Sequence, residues 1–180
     1  MRSFKTEGIV IKRRNFAEAD RIITIFSKNY GKIQIKATGV RKINSRRSSH
    51  IELLNYSRFN LYKAKSIPLL TEVENIENYS AIKEDLTKTG FAYHICELID
   101  GLCAENQENE EVFNLLRKTL MLLSQKSDLA LVIHEFEIDL LTCLGFYKHS
   151  DMNKDLDTSE FIEQILERKL KTKRLLPRFT

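Results

Sequence analysis

The spacing of apolar residues changes once along this 180-residue chain, near Ser80, and that change limits the folds open to it. Before Ser80 apolar side chains recur every second residue; after it they recur at helical spacing. The clearest alternation is Lys32-Ile33-Gln34-Ile35-Lys36-Ala37. Ile33, Ile35 and Ala37 are expected inward, leaving Lys32, Gln34 and Lys36 as a polar outer face. Similar runs, rich in β-branched residues and bounded by turn residues, predict strands over Thr6–Arg14, Asp20–Ser27, Tyr56–Lys63 and Leu69–Ile76. In the first, Ile9 and Ile11 share one face, Val10 and Lys12 the other. In the fourth, Phe59 and Leu61 point inward, Arg58, Asn60 and Tyr62 outward. Tyr30-Gly31 makes a hairpin turn, with Gly31 free to take positive φ.

Five short strands with a long insertion between the third and fourth fit an OB-type barrel, whose closure removes exposed edges. An SH3-like barrel has comparable spacing. Beyond Ser80, a possible helix cap, Phe91, Ile95, Leu98 and Leu102 form one helical stripe. Asn106–Asn109 interrupts it. A second helix carries Val112, Leu115, Leu116, Leu120 and Leu123. A third, capped by Asp128 and running to Leu144, is apolar on several sides and is expected at the centre of a bundle. Asp157 and Glu160 resemble a capping box before a last helix with Phe161, Ile162, Ile165, Leu166 and Leu170. The fold class is therefore α+β: a five-stranded OB-fold barrel over residues 1–79, then an all-α helical domain over residues 80–180.

Charge divides along the same line. Residues 1–80 hold 16 Lys+Arg against 7 Asp+Glu, a net +9, whereas residues 81–180 carry −5. One half attracts anions and the other does not. No apolar run approaches the roughly 18 residues of a membrane span, and the N-terminus has no secretory h-region. Cys96, Cys103 and Cys143 suit neither a disulfide framework nor a zinc site. A cytoplasmic protein with reduced thiols and no membrane contact is expected. The glycines form no phosphate loop, and the four histidines are dispersed, His94 and His134 reading as packing residues within helices. No catalytic residue, metal or cofactor is expected, so the reading is not an enzyme.

The cations of the first half are the binding candidates. Lys12, Arg13 and Arg14 with Arg21 would grip phosphates at one barrel mouth; the plain alternative is a solvated strand end that deters edge pairing. Arg41, Lys42, Arg46 and Arg47 lie in a loop able to track a nucleic-acid backbone without reading sequence. Lys32 and Lys36 face outward on the third strand. Phe16 and Tyr62 are candidates for base stacking.

Four short runs in order, Thr6-Glu7-Gly8-Ile9-Val10-Ile11-Lys12, Glu18-Ala19-Asp20-Arg21, Tyr30-Gly31-Lys32 and Gly39-Val40-Arg41-Lys42 with Ser45, resemble the N-terminal OB domain of the bacterial RecO family. Phe136-Glu137 through Leu144-Gly145-Phe146 is similar to that family's buried helix, and Phe161 to Leu176 to its last one. Many members carry a four-cysteine zinc module after the segment matching Leu144-Gly145-Phe146. Here His149–Asp157 has no cysteine, so the chain reads as a short member without the module.

The resemblance implies a DNA repair and recombination mediator that binds single- and double-stranded DNA and anneals complementary strands. It implies work with RecR and with the single-stranded-DNA-binding protein (SSB), whose C-terminal tail docks on the helical domain, so that the recombinase loads. Arg117 and Lys118 are the cations available for such an acidic tail. Charge and stacking alone also fit an RNA-binding OB protein, or an adaptor whose basic half faces an acidic protein.

Overall fold

The computed structural model describes residues 2–125, 128–148, 150, 157–174 and 176. Two compact units result, one of residues 1–78 with 104–110 and one of residues 79–103 with 111–180. His149, residues 151–156, where the zinc module would stand, and Arg178 lie outside the described residues.

The first unit is a barrel of β1 (Ser3–Phe16), β2 (Asp20–Ser27), β3 (Gly31–Ala37), β4 (Tyr56–Tyr62) and β5 (Leu69–Glu77). It closes in the order β1-β2-β3-β5-β4, the OB arrangement. All neighbours are antiparallel except β3 and β5, which meet through one parallel pair, Lys36 with Leu69. Pro68 immediately precedes β5, where its missing N–H costs nothing, and its carbonyl accepts the Lys36 N–H at 2.9 Å. Val10, Ile23, Ile25, Ile33, Ile35, Ala37, Phe59, Leu61 and Leu70 fill the interior. Val40 and Ile51, the latter in a 3-10 turn over Ser48–Ile51, plug it from the insertion.

β1 departs from strict alternation. Val10 pairs with Ile25, yet Lys12 pairs with Thr24, so one extra residue bulges at this point. Val10 enters the core and Ile9 is buried on the opposite face, beside Phe26 and Tyr56. Beyond the bulge Arg13 pairs with the core residue Ile23, whereas Lys12 and Arg14 pair with the outward Thr24 and Ile22. An unbroken alternation from Val10 would have aimed Lys12 and Arg14 inward.

Residues 104–110 return to the barrel. Glu105 bridges to Lys32, and the Asn106 N–H donates to the Lys32 carbonyl at 2.8 Å. Gly31 (φ +63°) sits under this segment; a Cβ there would lie 1.8 Å from the Gln107 carbonyl oxygen.

The second unit contains α1 (Ser80–Lys83), α2 (Leu86–Leu102), α3 (Glu110–Gln125), α4 (Leu129–Cys143) and α5 (Thr158–Leu166). Ser80 is not the cap: Tyr79, at φ 50°, precedes a single turn, and Asp85 starts a separate helix by accepting the Lys88 N–H at 3.1 Å. Asp128 and Asp157 cap α4 and α5 in the same way. The most enclosed helix is α2, which buries Phe91, Ala92, His94, Ile95, Cys96, Leu98 and Ile99. Both α2 and α4 also leave apolar side chains exposed, Leu86 and Tyr93 on α2 and Leu131 on α4. All three cysteines are free.

A buried polar chain runs through this unit. His94 Nε2 meets Glu137 Oε1 at 2.7 Å, and the Thr158 hydroxyl donates to the other Glu137 oxygen. On its other side, His94 Nδ1 meets the Thr172 hydroxyl at 2.8 Å, which itself donates to Glu97 at 2.6 Å. His94 is thus a fully partnered packing residue, while His134 is exposed. Glu97 also accepts from the Lys171 and Thr172 N–H groups and from Arg168. Burial works to raise its pKa, but the Thr172 hydroxyl, Arg168 and those N–H groups outweigh it and hold the carboxyl down to about 2. Glu163 similarly draws in Lys169, Lys173 and the Leu170 N–H. Arg168, Lys169 and Lys173 of the basic run after α5 are therefore paired within their own unit.

Two outcomes follow. Gly31→Ala should destabilise the barrel by about 2 kcal/mol or more, from positive φ plus the clash. Gly39→Ala, also at positive φ but 3.8 Å from only the flexible Lys42 tip, should cost about 1 kcal/mol; denaturant titration separates them. Because folding lowers the Glu97 pKa, its stabilisation is present at neutral pH and lost as pH falls from 4.5 toward about 2. Glu97→Gln should lower neutral stability and flatten that acid limb in unfolding measured across the range.

Candidate nucleic-acid interface

Cross-strand register sorts the cations of the β1–β2–β3 ladder into two sets. On the outer face lie the rows Lys12–Thr24–Gln34, Arg14–Ile22–Lys36 and Phe16–Asp20. On the inner face, at the barrel mouth, lie Arg13 beside Ile23 and Arg21 beside Asn15. The bulge makes this division.

The outer set is open at the β1–β2 tip. Phe16 is 40% exposed, with the Lys36 Nζ 5.0 Å and the Arg14 guanidinium 6.0 Å from its ring centroid. Two cations thus flank an exposed aromatic face. Beside it an open groove of about 640 Å³ is lined by Ala17, Glu18, Asp20, Gly39, Lys42 and Arg47. Arg14, Lys42 and Arg46 are exposed and make no ion pair among the described residues. Lys12 is also exposed.

The remaining cations are engaged to different degrees. Arg13 and Arg21 converge on Glu52, at the end of the 3-10 turn, Arg21 at 3.5 Å, so one carboxylate offsets two guanidinium groups. Lys36 pairs with Asp20 at 3.3 Å. The Asp20 carboxyl is held below its usual range, first by the Gly39 N–H and then by Lys36. Arg41 donates to the Ala17 carbonyl at 3.2 Å. Arg47 donates to the Leu70 carbonyl at 3.0 Å and the Thr38 carbonyl at 2.7 Å, stapling the insertion to β5.

Two expectations need correction. Lys32 is on the outer face but only 7% exposed. Its end of that face is closed, as buried Phe26 and Ile9 beside it show, and residues 105–106 pair with its backbone. It is not available to a polyanion. Tyr62 is half-buried and pairs with Ser3, at the opposite end of β1 from Phe16; its hydroxyl meets Arg2 at 3.5 Å. The structure does not bring the two aromatic candidates together.

Glu52 and Asp20, the countercharges, were not singled out from sequence. A glutamate in a loop carries no local sign that two arginines of other strands will reach it. The opposite ladder is acidic: Glu72 and Glu74 are exposed on β5, and Arg58 is held between Glu7 and Glu74 at 3.2 Å each. The barrel is therefore electrically polarised, with cations concentrated at the β1–β2 tip and insertion. On the helical side, Arg117 lies 6.0 Å over the Phe113 ring and Lys118 is exposed on α3. Among the described residues no helix is long and apolar enough to cross a membrane.

A family model described as recombination protein O N terminal matches residues 1–79, and one described as recombination protein O C terminal matches residues 83–151. The chain is similar to the DNA repair protein RecO of Acetivibrio thermocellus, 39% identical over 147 residues, covering 81% of this chain and 59% of that protein. It is similar to the RecO proteins of Symbiobacterium thermophilum (33% identical; 81% and 58% covered) and Listeria monocytogenes (31%; 82% and 58%). It thus spans less than two thirds of the length of these relatives.

Arg47→Met should lower barrel stability by about 1–3 kcal/mol, through two lost charge-assisted bonds, whereas Arg46→Met should stay within about 0.5 kcal/mol. Denaturant midpoints of the two variants give the comparison.

Proposed function

Since the chain belongs to the recombination protein O family, we propose that it is a DNA-binding mediator of recombination in DNA repair. The observation that carries this reading is the cluster at the β1–β2 tip: Phe16 exposed between Arg14 and Lys36, with unpaired Lys42 and Arg46 on the adjoining insertion. Lys12, Arg14, Lys36, Arg41, Lys42 and Arg46 hold phosphates. Arg13 and Arg21 add the charge that Glu52 leaves. Arg47 acts by fixing the loop that carries its neighbours. Phe16 stacks an unpaired base.

Such a grip reads backbone rather than sequence, so both single- and double-stranded DNA bind. Bases held by stacking and charge keep their pairing edges free, and neutralised phosphates let a second strand approach, which favours annealing. The role is one of binding, with no bond made or broken by the protein. The working divisions are a barrel of residues 1–79, to which residues 104–110 return, and the helices of the remaining residues 80–180, which offer partners their surface. On this reading RecR and the acidic tail of SSB are its partners in a cytoplasmic repair complex that loads recombinase.

Titration with DNA at several salt concentrations tests the reading. Log affinity should fall linearly with log salt. Arg14→Gln with Arg46→Gln should flatten the single-strand slope by about 1.4, and Glu52→Gln should steepen it by about 0.7. Wild-type protein should speed pairing of complementary oligonucleotides. Salt-independent affinity, or variants indistinguishable from wild type, would overturn the proposal. Negligible retention at low salt favours the adaptor, and stronger binding of matched RNA the RNA-binding protein.

A further inference from the structure

The end of the barrel away from the β1–β2 tip has an opening of its own. The start of β1, the β2–β3 turn and the β4–β5 loop meet there, because β1 pairs antiparallel with both β2 and β4. Phe4, Tyr30, Ile33, Lys63, Lys65 and Pro68 are among the residues lining a cavity of about 520 Å³.

Its two walls differ in chemistry. Phe4 and Tyr30 meet edge to face, with centroids 4.9 Å apart and planes at 65°. Each limits the other's rotation, while Tyr30 stays 40% exposed. Ile33 and Pro68 extend this apolar side. On the rim Lys63 and Lys65 are exposed, and neither forms an ion pair among the described residues. The Lys63 N–H donates to the Arg2 carbonyl at 2.6 Å, which fixes the root of this loop to the chain entering β1.

An exposed tyrosine ring, braced by Phe4, beside two ammonium groups matches one ligand chemistry in particular, a planar base joined to an anionic phosphate. An acidic peptide would satisfy the lysines but leave the aromatic wall unused. A duplex offers no unstacked base to enter. We propose that this pocket is a second nucleotide site, taking one unpaired nucleotide of a single strand. The base lies against Tyr30 and the flanking phosphates lie on Lys63 and Lys65. The proposal rests on the nucleic-acid reading of the barrel and extends it to residues outside the tip cluster.

The two sites cannot share a nucleotide. Phe16 follows Phe4 by 12 residues along β1, at most about 40 Å of extended strand at roughly 3.3 Å per residue. A strand of several nucleotides can reach both, within the range of roughly 4–16 that one OB fold accommodates.

The test uses the whole chain and single strands of about 15 nucleotides, one of deoxyuridine and one of uridine, each carrying the same photoreactive base. Cross-links at Tyr30 or Phe4 are expected in addition to those at the tip; their appearance in either arm supports the pocket, and the stronger arm names the sugar. Tyr30→Leu should weaken single-strand affinity by at least about fivefold while leaving duplex affinity unchanged. Lys63→Gln with Lys65→Gln, at exposed positions, should flatten the single-strand salt slope by about 1.4; this variant carries the test if Tyr30→Leu does not fold. Cross-links confined to the tip, with both variants binding as wild type, overturn the pocket and leave DNA binding standing. No cross-links anywhere overturn both. Loss of an acidic peptide's binding in the variants, with strand affinity intact, reassigns the pocket to protein docking.

Discussion

The register shift between Val10 and Lys12 is the constraint on which the candidate surface depends. A β-strand gives each side chain its face by parity, so one inserted residue reverses every face beyond it. Before the shift, β1 serves packing, with Val10 in the core and Ile9 buried behind it. After it, the same strand presents Lys12, Arg14 and Phe16 outward and turns Arg13 to the mouth. One strand thereby does two jobs without placing a cation in the barrel interior, where an unpaired charge would be costly.

Countercharges shape that surface as much as the cations do. Glu52 gathers Arg13 and Arg21, and Asp20 ties Lys36 to the Gly39 turn. These exposed and half-exposed pairs add little stability. Their effect is geometric: they hold side chains that would otherwise repel one another, with the acids already in place to be displaced or retained. Arg47 shows the other use of a guanidinium, as a fork across two backbone carbonyls rather than a handle for an anion.

Local pattern in the sequence reached far into the barrel. β2 begins and ends where its turn residues place it, Ile33, Ile35 and Ala37 are inward, and Gly31 takes positive φ. These features depend on neighbours in the chain. The bulge was not legible, because Ile9, Val10 and Ile11 are all apolar and parity cannot choose among them. Nor was the burial of Lys32, decided by residues more than seventy positions away, or the pairing of Arg13 with Glu52. In the helices, Asp128 and Asp157 were readable as caps, whereas the break at Asp85 was hidden in an unbroken polar run. Composition located the basic half; only three-dimensional register chose which of its cations face outward.

The return of residues 104–110 to β3 has a bearing on how the chain comes into being. During synthesis the first 78 residues emerge with the Lys32 end of β3 still lacking its partner. That partner appears only after all of α2, through Leu102, has been made. A nascent barrel must therefore wait, incompletely sealed, while a helix forms behind it, and the last stitch is sewn from downstream. Vectorial folding would favour a sequence whose α2 is quick to form, since every second of delay leaves a strand edge open to a neighbour on the same polysome.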